Sequence, residues 1–448
     1  MKIVSEMQAT PINRDLVDGV LKESGVTQIE RISIREIRAI INRIEKLSGE
    51  KFIRMEIGTP GFPTPSIAIE AEKAALDAGV GSLYPEIDGI PVLKNEISRF
   101  IKNFLDVDIE PAHCIPTVGS INGAFAAFMV TGRMDAKKDT VLFIDPGFSV
   151  HKQLVKMIGL KQERFDVYEF RGDKLKDKLE SYLEKGNICS ILYSNPNNPS
   201  WICFNEEELK TIGDLANKYN VVVAEDLAYF GMDFRKDLSK PGVPPFQATV
   251  AKYTNNYILL ISASKAFSYA GQRIGMCAIS DTLFHSEHKD LLQFYPTASF
   301  GHCLVQGTVY ATTAGTAHSP QYGLAALLTA VNDGCYDFVG ANREYGERAK
   351  ILKKIFTNNG FKIVYDMDID VPIADGFYFT VSYPGYTGEK LLMELLYYGI
   401  SAICLSITGS DRTEGLRACV SLIQRPQFSV LDERLKKFNE NHLAENKN

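Results

Sequence analysis

The chain has 448 residues, 45% hydrophobic and 23% charged, with 34 Gly and 19 Pro, the composition of a soluble globular protein with room for two domains. Lys and Arg total 49 against 55 Asp and Glu, a net charge of −6, which lacks the basic excess that general nucleic-acid binding needs. The opening Met1-Lys2-Ile3-Val4-Ser5-Glu6 meets an acid before an apolar leader forms, and every apolar run is too short to span a bilayer, so a cytoplasmic protein without a membrane anchor is expected.

In chain order, Ile34, Ile37, Ile40, Ile41, Ile44 and Leu47 recur at helical spacing and predict an amphipathic helix over 32–47. After Met55 the pattern changes. Unbroken apolar runs at 140–144, 189–193, 221–224, 258–261 and 276–279 are joined by helix-like stretches. Such runs read as strands covered on both faces by crossover helices, hence an α/β domain with a mostly parallel sheet. Helix is predicted from about Val331 and through 343–356, a strand over 376–381, a helix over 388–398, a strand over 416–422 and a closing helix over 429–441. These place a large domain at 56–330 and a smaller α+β domain at 331–448, with 1–55 packing against the smaller one.

Ligands of parallel sheets gather at the carboxyl ends of the strands. There the chain reads Asp145-Pro146-Gly147-Phe148, Ser194-Asn195-Pro196-Asn197-Asn198-Pro199, Glu225-Asp226-Leu227-Ala228-Tyr229 and Ser262-Ala263-Ser264-Lys265. An amine, a carboxylate, a phenol, an amide and hydroxyls, with Arg273 close behind, suit a Schiff-base cofactor that carries a phosphate. Neither GxGxxG nor GxxxxGK[ST] occurs, so nicotinamide and P-loop chemistry lack their main support. Eight scattered cysteines without a CxxC pair, and histidines without metal-ligand spacing, predict reduced core thiols and no metal.

The stretch Ser262-Ala263-Ser264-Lys265-Ala266-Phe267-Ser268-Tyr269-Ala270-Gly271-Gln272-Arg273-Ile274-Gly275 resembles the SxSKxFxxxGxRxG signature of class I/II, fold-type I aminotransferases dependent on pyridoxal phosphate. Asn195-Pro196-Asn197-Asn198-Pro199, Asp226-Leu227-Ala228-Tyr229 and Gly415-Leu416-Arg417 are similar to further motifs of that family, in family order. The resemblance implies a homodimer that moves an amino group between an L-amino acid and a 2-oxo acid by a ping-pong route; a carbon–sulfur lyase, a decarboxylase or a non-catalytic cofactor-binding protein on the same scaffold is the alternative. It implies Lys265 as Schiff-base and proton-transfer residue, Asp226 on the pyridine nitrogen, and Asn195 and Tyr229 on the ring oxygen. Arg273, Ser262, Gly119 and Ser120 would hold the phosphate, with Tyr84 reaching in from the other subunit. Phe148 would stack on the ring, while Arg417, Gly58 and Asn195 would meet the substrate, Arg417 gripping its carboxylate. With Lys265 and Arg417 in different domains, substrate binding would close one domain on the other.

Two departures stand out. Ser200-Trp201, with the only tryptophan, replaces the usual threonine-glycine, so a changed loop geometry is expected there. No arginine lies between Arg273 and Arg343, the interval from which one aspartate-aminotransferase branch takes the cation for a distal carboxylate.

Overall fold

Capping chemistry starts the first elements of the computed structural model, which describes residues 9–26, 28–29 and 32–443. Asn13 accepts a bond from the Leu16 N–H and opens helix α1 (Arg14–Ser24). Ser33 and Glu36 form a reciprocal capping box at the start of α2 (Ile34–Ser48), whose buried stripe is Ile37, Ile40, Ile41 and Ile44. The helix expected from 32 therefore starts after its Ser33 cap.

Next come β1 (Ile53–Arg54), α3 (Ser66–Asp77) and α4 (Pro91–Leu105). Strands and helices then alternate: β2 (Cys114–Thr117), α5 (Gly119–Thr131), β3 (Thr140–Asp145), α6 (Ser149–Met157), β4 (Lys161–Asp166), α7 (Lys174–Leu183), β5 (Ile188–Ser194) and α8 (Glu206–Tyr219). They continue through β6 (Val222–Leu227), β7 (Tyr257–Ser262), α9 (Ala263–Ala266) and β8 (Gly275–Ile279). Two long helices follow, α10 (His318–Asn332) and α11 (Phe338–Asn358). The remainder is β9 (Lys362–Ile363), β10 (Met367–Asp368), β11 (Val371–Pro372), β12 (Tyr378–Ser382), α12 (Gly388–Tyr397), β13 (Ile400–Ser401), β14 (Ile403–Cys404), β15 (Leu416–Cys419) and α13 (Gln427–His442).

The described residues divide into two compact units, one of 62–343 with 367–374, the other of residues up to 61 with 344–366 and 375–443. The larger unit holds a seven-stranded sheet in the order β2-β8-β7-β6-β5-β3-β4. From β7 to β4 all neighbours are parallel, and β8 runs antiparallel to both β7 and β2. The sheet is thus mostly parallel. β3, β5, β6, β7 and β8 are buried along their whole length, which is why they read as apolar runs without alternation. The two edge strands, β2 and β4, carry no such run: β2 contains Pro116, and β4 reads Lys-Gln-Glu-Arg before its first buried residue.

The larger unit runs on to 343, past the expected boundary at 330, and holds all of helix α10, which buries Leu324, Leu327, Leu328 and Val331 and packs on α3 and α4. The β10–β11 hairpin, late in the chain, also belongs to the larger unit. Asp368 carries it there: its carboxylate accepts from Arg171 at 2.7 Å and from Arg235 at 2.8 Å, while Arg171 also binds Glu208 at 2.7 Å. Removing one partner of a buried ion network strands the others. Asp368→Ala is therefore expected to cost about 3 kcal/mol in urea unfolding, and an unchanged midpoint would show the network to be energetically idle.

The smaller unit holds an antiparallel sheet, β14-β15-β12-β9, and β1 paired in parallel with β13. Helix α1 docks on α12 through Arg14 on Glu394 and through Tyr397 Oη donating to Asp18 at 2.5 Å. Strand β15 ends at Cys419, short of the expected 422, where Val420 and Ile423 form a turn.

Candidate active site

At the carboxyl end of β6, successive residues point to opposite faces of the sheet. Glu225 faces one way, accepting from Tyr193 Oη at 3.1 Å, Thr249 Oγ1 at 2.5 Å and Val250 N at 3.2 Å. Asp226 faces the other. Its Oδ1 accepts from Ala228 N at 3.1 Å, and burial pushes its pKa up to about 7, opposed by that bond and by the attraction of Lys265. Lys265 is half-buried in the single turn α9 at the end of the neighbouring strand β7. Ser262 opens that turn by accepting from Ser264 N at 3.1 Å, so the motif serine also sets where the lysine emerges.

Two glycines near this pair mark a close approach of β8, α5 and Arg273. In register with Ser262 across the β7–β8 ladder is Gly275. A Cβ on Gly275 would lie 2.8 Å from Ser120 N and 2.9 Å from Gly119 C. Gly119 has φ +70°, and a Cβ there would stand 2.6 Å from an Arg273 guanidinium nitrogen. Both glycines are required by close approach. Among the described residues no side chain caps the start of α5, where Gly119 lies against the exposed Arg273 and Ser120 lies against Gly275, the register partner of Ser262.

Asn195 is placed differently from the sequence expectation. Ser194 is in register with Asp226, so Asn195, one residue on, takes the Glu225 side. There its Nδ2 donates to Ala248 O at 3.4 Å and its Oδ1 accepts from Phe204 N at 3.2 Å. The Asn197 amide is likewise engaged, donating to Pro146 O at 2.8 Å and accepting from Ser200 Oγ at 2.7 Å. The remaining asparagine, Asn198, is buried and its N–H donates to Ser194 Oγ at 3.2 Å. Its signal in the sequence is the second Asn-Pro pair of the run, which looks the same as the first unless the parity of β5 is known.

Trp201 keeps a left-handed backbone, φ +65°, the conformation that favours glycine, so the departure at 200–201 preserves a glycine-like turn. Its fully buried ring meets Tyr229 at 5.3 Å and 64° and walls in that phenol. Phe148 is half-buried just before α6, with the His151 ring edge-on at 5.5 Å. Tyr84 is 94% exposed in the single chain.

In the smaller unit Arg417 on β15 is buried, its guanidinium 4.5 Å over the Tyr378 ring and one nitrogen donating to Glu56 O at 2.7 Å. The Glu56 carboxylate is itself fixed by Arg54 Nε at 3.1 Å and by the Ser401 hydroxyl. A Cβ on Gly58 would stand 2.1 Å from the Tyr378 hydroxyl, so this glycine lets the chain pass beside the Arg417–Tyr378 stack. Among the described residues no group of three or more His, Cys, Asp or Glu is placed to hold a metal, and no helix is long and apolar enough to cross a membrane.

A family model described as aminotransferase class I and II matches residues 50–429. The probable aspartate aminotransferase of Methanocaldococcus jannaschii is 27% identical over 328 residues, covering 73% of this chain and 78% of that protein. The aspartate aminotransferase of Pyrococcus horikoshii is 32% identical over 253 residues, covering 56% of this chain and 60% of that protein. In fold, the chain is similar to the solved aspartate aminotransferase of Thermotoga maritima, with a TM-score of 0.73 at 19% identity over 94% of this chain and 99% of that one.

Proposed function

The chain belongs to the aminotransferase class I and II family and transfers amino groups with pyridoxal 5'-phosphate, and from that premise we propose that the strand-end residues of its larger unit hold the cofactor and that Arg417 binds the substrate. The observation that carries this reading is the buried Asp226 beside Lys265, a costly carboxylate that accepts one hydrogen bond, from Ala228 N, among the described residues and suits a cationic partner. The residues fit the group. The Gly119–Arg273 approach and the Gly275–Ser120 contact leave no space for a side chain at either glycine, and Arg273, Ser262 and the start of α5 offer the donors and positive charge that a phosphate takes.

When bound, the cofactor supplies a carbonyl that takes the substrate amine and a ring that accepts electrons as the Cα–H bond breaks. Asp226 would keep the pyridine nitrogen protonated, and Lys265 Nζ would carry the proton to and from carbon. Tyr229 and Asn198 would donate to the ring oxygen, Asn198 taking the role that the Asn195 hydrogen bonds leave open. Arg273, Ser262, Gly119 and Ser120 would neutralise the phosphate, and Phe148 would offer its ring to the cofactor. The substrates are an L-amino acid and a 2-oxo acid, exchanged in turn at one site.

The experiment is direct: the purified protein with added cofactor should show a visible absorption band, and borohydride should attach the cofactor mass to Lys265. A panel of L-amino acids, aspartate first, assayed with 2-oxoglutarate then identifies the donor. A protein that stays colourless with added cofactor would sink the reading.

Arg417 provides the planar fork that a carboxylate needs, held flat by Tyr378. Arg417→Lys keeps the charge and loses the fork. It is expected to raise KM for the amino acid by about 10- to 100-fold, with a smaller effect on kcat, as initial rates against substrate concentration would report; an equal KM would remove Arg417 from the site.

The functional form is a homodimer in which Tyr84, solvent-exposed in the single chain, completes the phosphate site of the partner. A Lys265→Ala chain co-refolded with a Tyr84→Ala chain should then regain activity, because some mixed dimers contain one intact site. No gain on mixing would mean that Tyr84 acts within its own subunit. Eight unbridged cysteines suit the reducing cytoplasm.

A further inference from the structure

At the carboxyl end of β3, Asp145 is 1% exposed. Its Oδ1 accepts from Lys152 Nζ at 2.7 Å, and its Oδ2 has no hydrogen-bond partner among the described residues. Lys152 lies on α6 with a side chain 16% exposed. Burial pushes the Asp145 carboxyl up to about 7, and the attraction of Lys152 opposes it. A buried ion pair is weak as a source of stability, since apolar residues of similar volume do as well or better. Its presence at the ligand edge of the sheet calls for a positional reason.

That reason lies in what the pair encloses. Between its ends run Pro146, Gly147 and Phe148. The Pro146 carbonyl accepts from Asn197 Nδ2 at 2.8 Å, tying this turn to the one after β5. A Cβ on Gly147 would lie 3.1 Å from Asp145 Oδ1, so the turn is drawn in over the carboxylate. Behind Phe148 the buried His151 ring stands edge-on at 87°. The segment is fastened at both ends and backed in the middle, with the half-buried Phe148 between the fastenings.

We infer that the Asp145–Lys152 pair is a positioning device for Phe148, closing the segment so that this ring meets the cofactor face, with Lys152 as its positioning residue. The inference rests on the cofactor reading above.

A double-mutant cycle on the full-length holoenzyme tests it, read as the cofactor dissociation constant from equilibrium dialysis and as the visible circular dichroism of the bound cofactor. Lys152→Met and Phe148→Ala are each expected to weaken retention by about five- to tenfold, and the combined variant by no more than the weaker-binding single variant. Lys152→Arg should restore both retention and dichroism. A combined variant whose loss equals the product of the two single losses would overturn the inference, as would unchanged retention in Lys152→Met. If Lys152→Met does not fold, Asp145→Leu combined with Lys152→Met removes both charges, and wild-type retention in that chain overturns the inference while weakened retention with diminished dichroism upholds it. A wild-type protein without a cofactor band would defeat the cofactor reading and this inference together; a wild-type band with multiplicative variants defeats this inference alone.

Discussion

Lys265→Ala is expected to abolish turnover, with a loss of at least about 10⁴-fold in kcat, because one side chain supplies both the amine that anchors the cofactor and the base that moves the substrate proton. The protein itself should survive. Lys265 is half-buried on a single turn whose start is set by Ser262, and alanine suits that turn. The variant should therefore fold, with a small loss of stability above pH 7 because the buried Asp226 carboxylate loses the attraction of Lys265. Single-turnover assays with a donor amino acid would check the first part and thermal unfolding the second. Substantial activity in Lys265→Ala would remove the central residue from the proposed chemistry.

Asp226→Asn is expected to have two effects of opposite sign. Activity should fall by about 10²- to 10³-fold, the scale for deleting one preorganised charge in a closed site. Stability should rise, and only at the pH where the carboxyl pays for its burial. The Asp226 pKa is raised to about 7 in the folded chain by desolvation, against the ordinary value of 3.8. The folded state then holds the proton more tightly than the unfolded one. This group's contribution is most favourable below the unfolded pKa and is lost as pH rises through 7. Asparagine removes that penalty. In cofactor-free protein the variant should match the wild type near pH 4 and exceed it by about 2–4 kcal/mol at pH 8, the scale of a shift of this size. Urea unfolding at the two pH values would show it; an equal difference at both would mean that Asp226 is not a buried acid.

The local pattern of the chain was sufficient for much of this. Apolar runs without alternation marked the strands that are buried on both faces, and the polar residues that follow them marked the ligand edge, because a parallel sheet exposes only its strand ends to a ligand. The place of Lys265 was legible for a local reason, since Ser262 caps the turn α9 that carries it, whereas the approach of Arg273 to Gly119 and the packing of Gly275 on Ser120 join residues far apart in the chain. Ser33 and Glu36 marked the start of α2 by chemistry confined to four residues.

What needed the tertiary structure depends on partners distant in the chain. Asn195 and Asn198 carry the same side chain next to the same residue type, and only the register of β5 on β6, Ser194 opposite Asp226, shows that Asn195 is turned toward Glu225. A shift of one residue reverses the face, and register is set by pairing between strands that no local pattern encodes. Edge strands β2 and β4 were illegible because β2, though buried, is only four residues long and is interrupted by Pro116, while β4 has no buried residue before Phe165. Residues 331–343 and the hairpin at Asp368 lie by sequence position in the expected smaller domain, yet they belong to the larger unit, the end of α10 through a helix that packs on α3 and α4 and the hairpin through Arg171 and Arg235. Burial against remote residues decided each of these cases, and it has no local signature when the contacts are made by ordinary leucines or by a single aspartate.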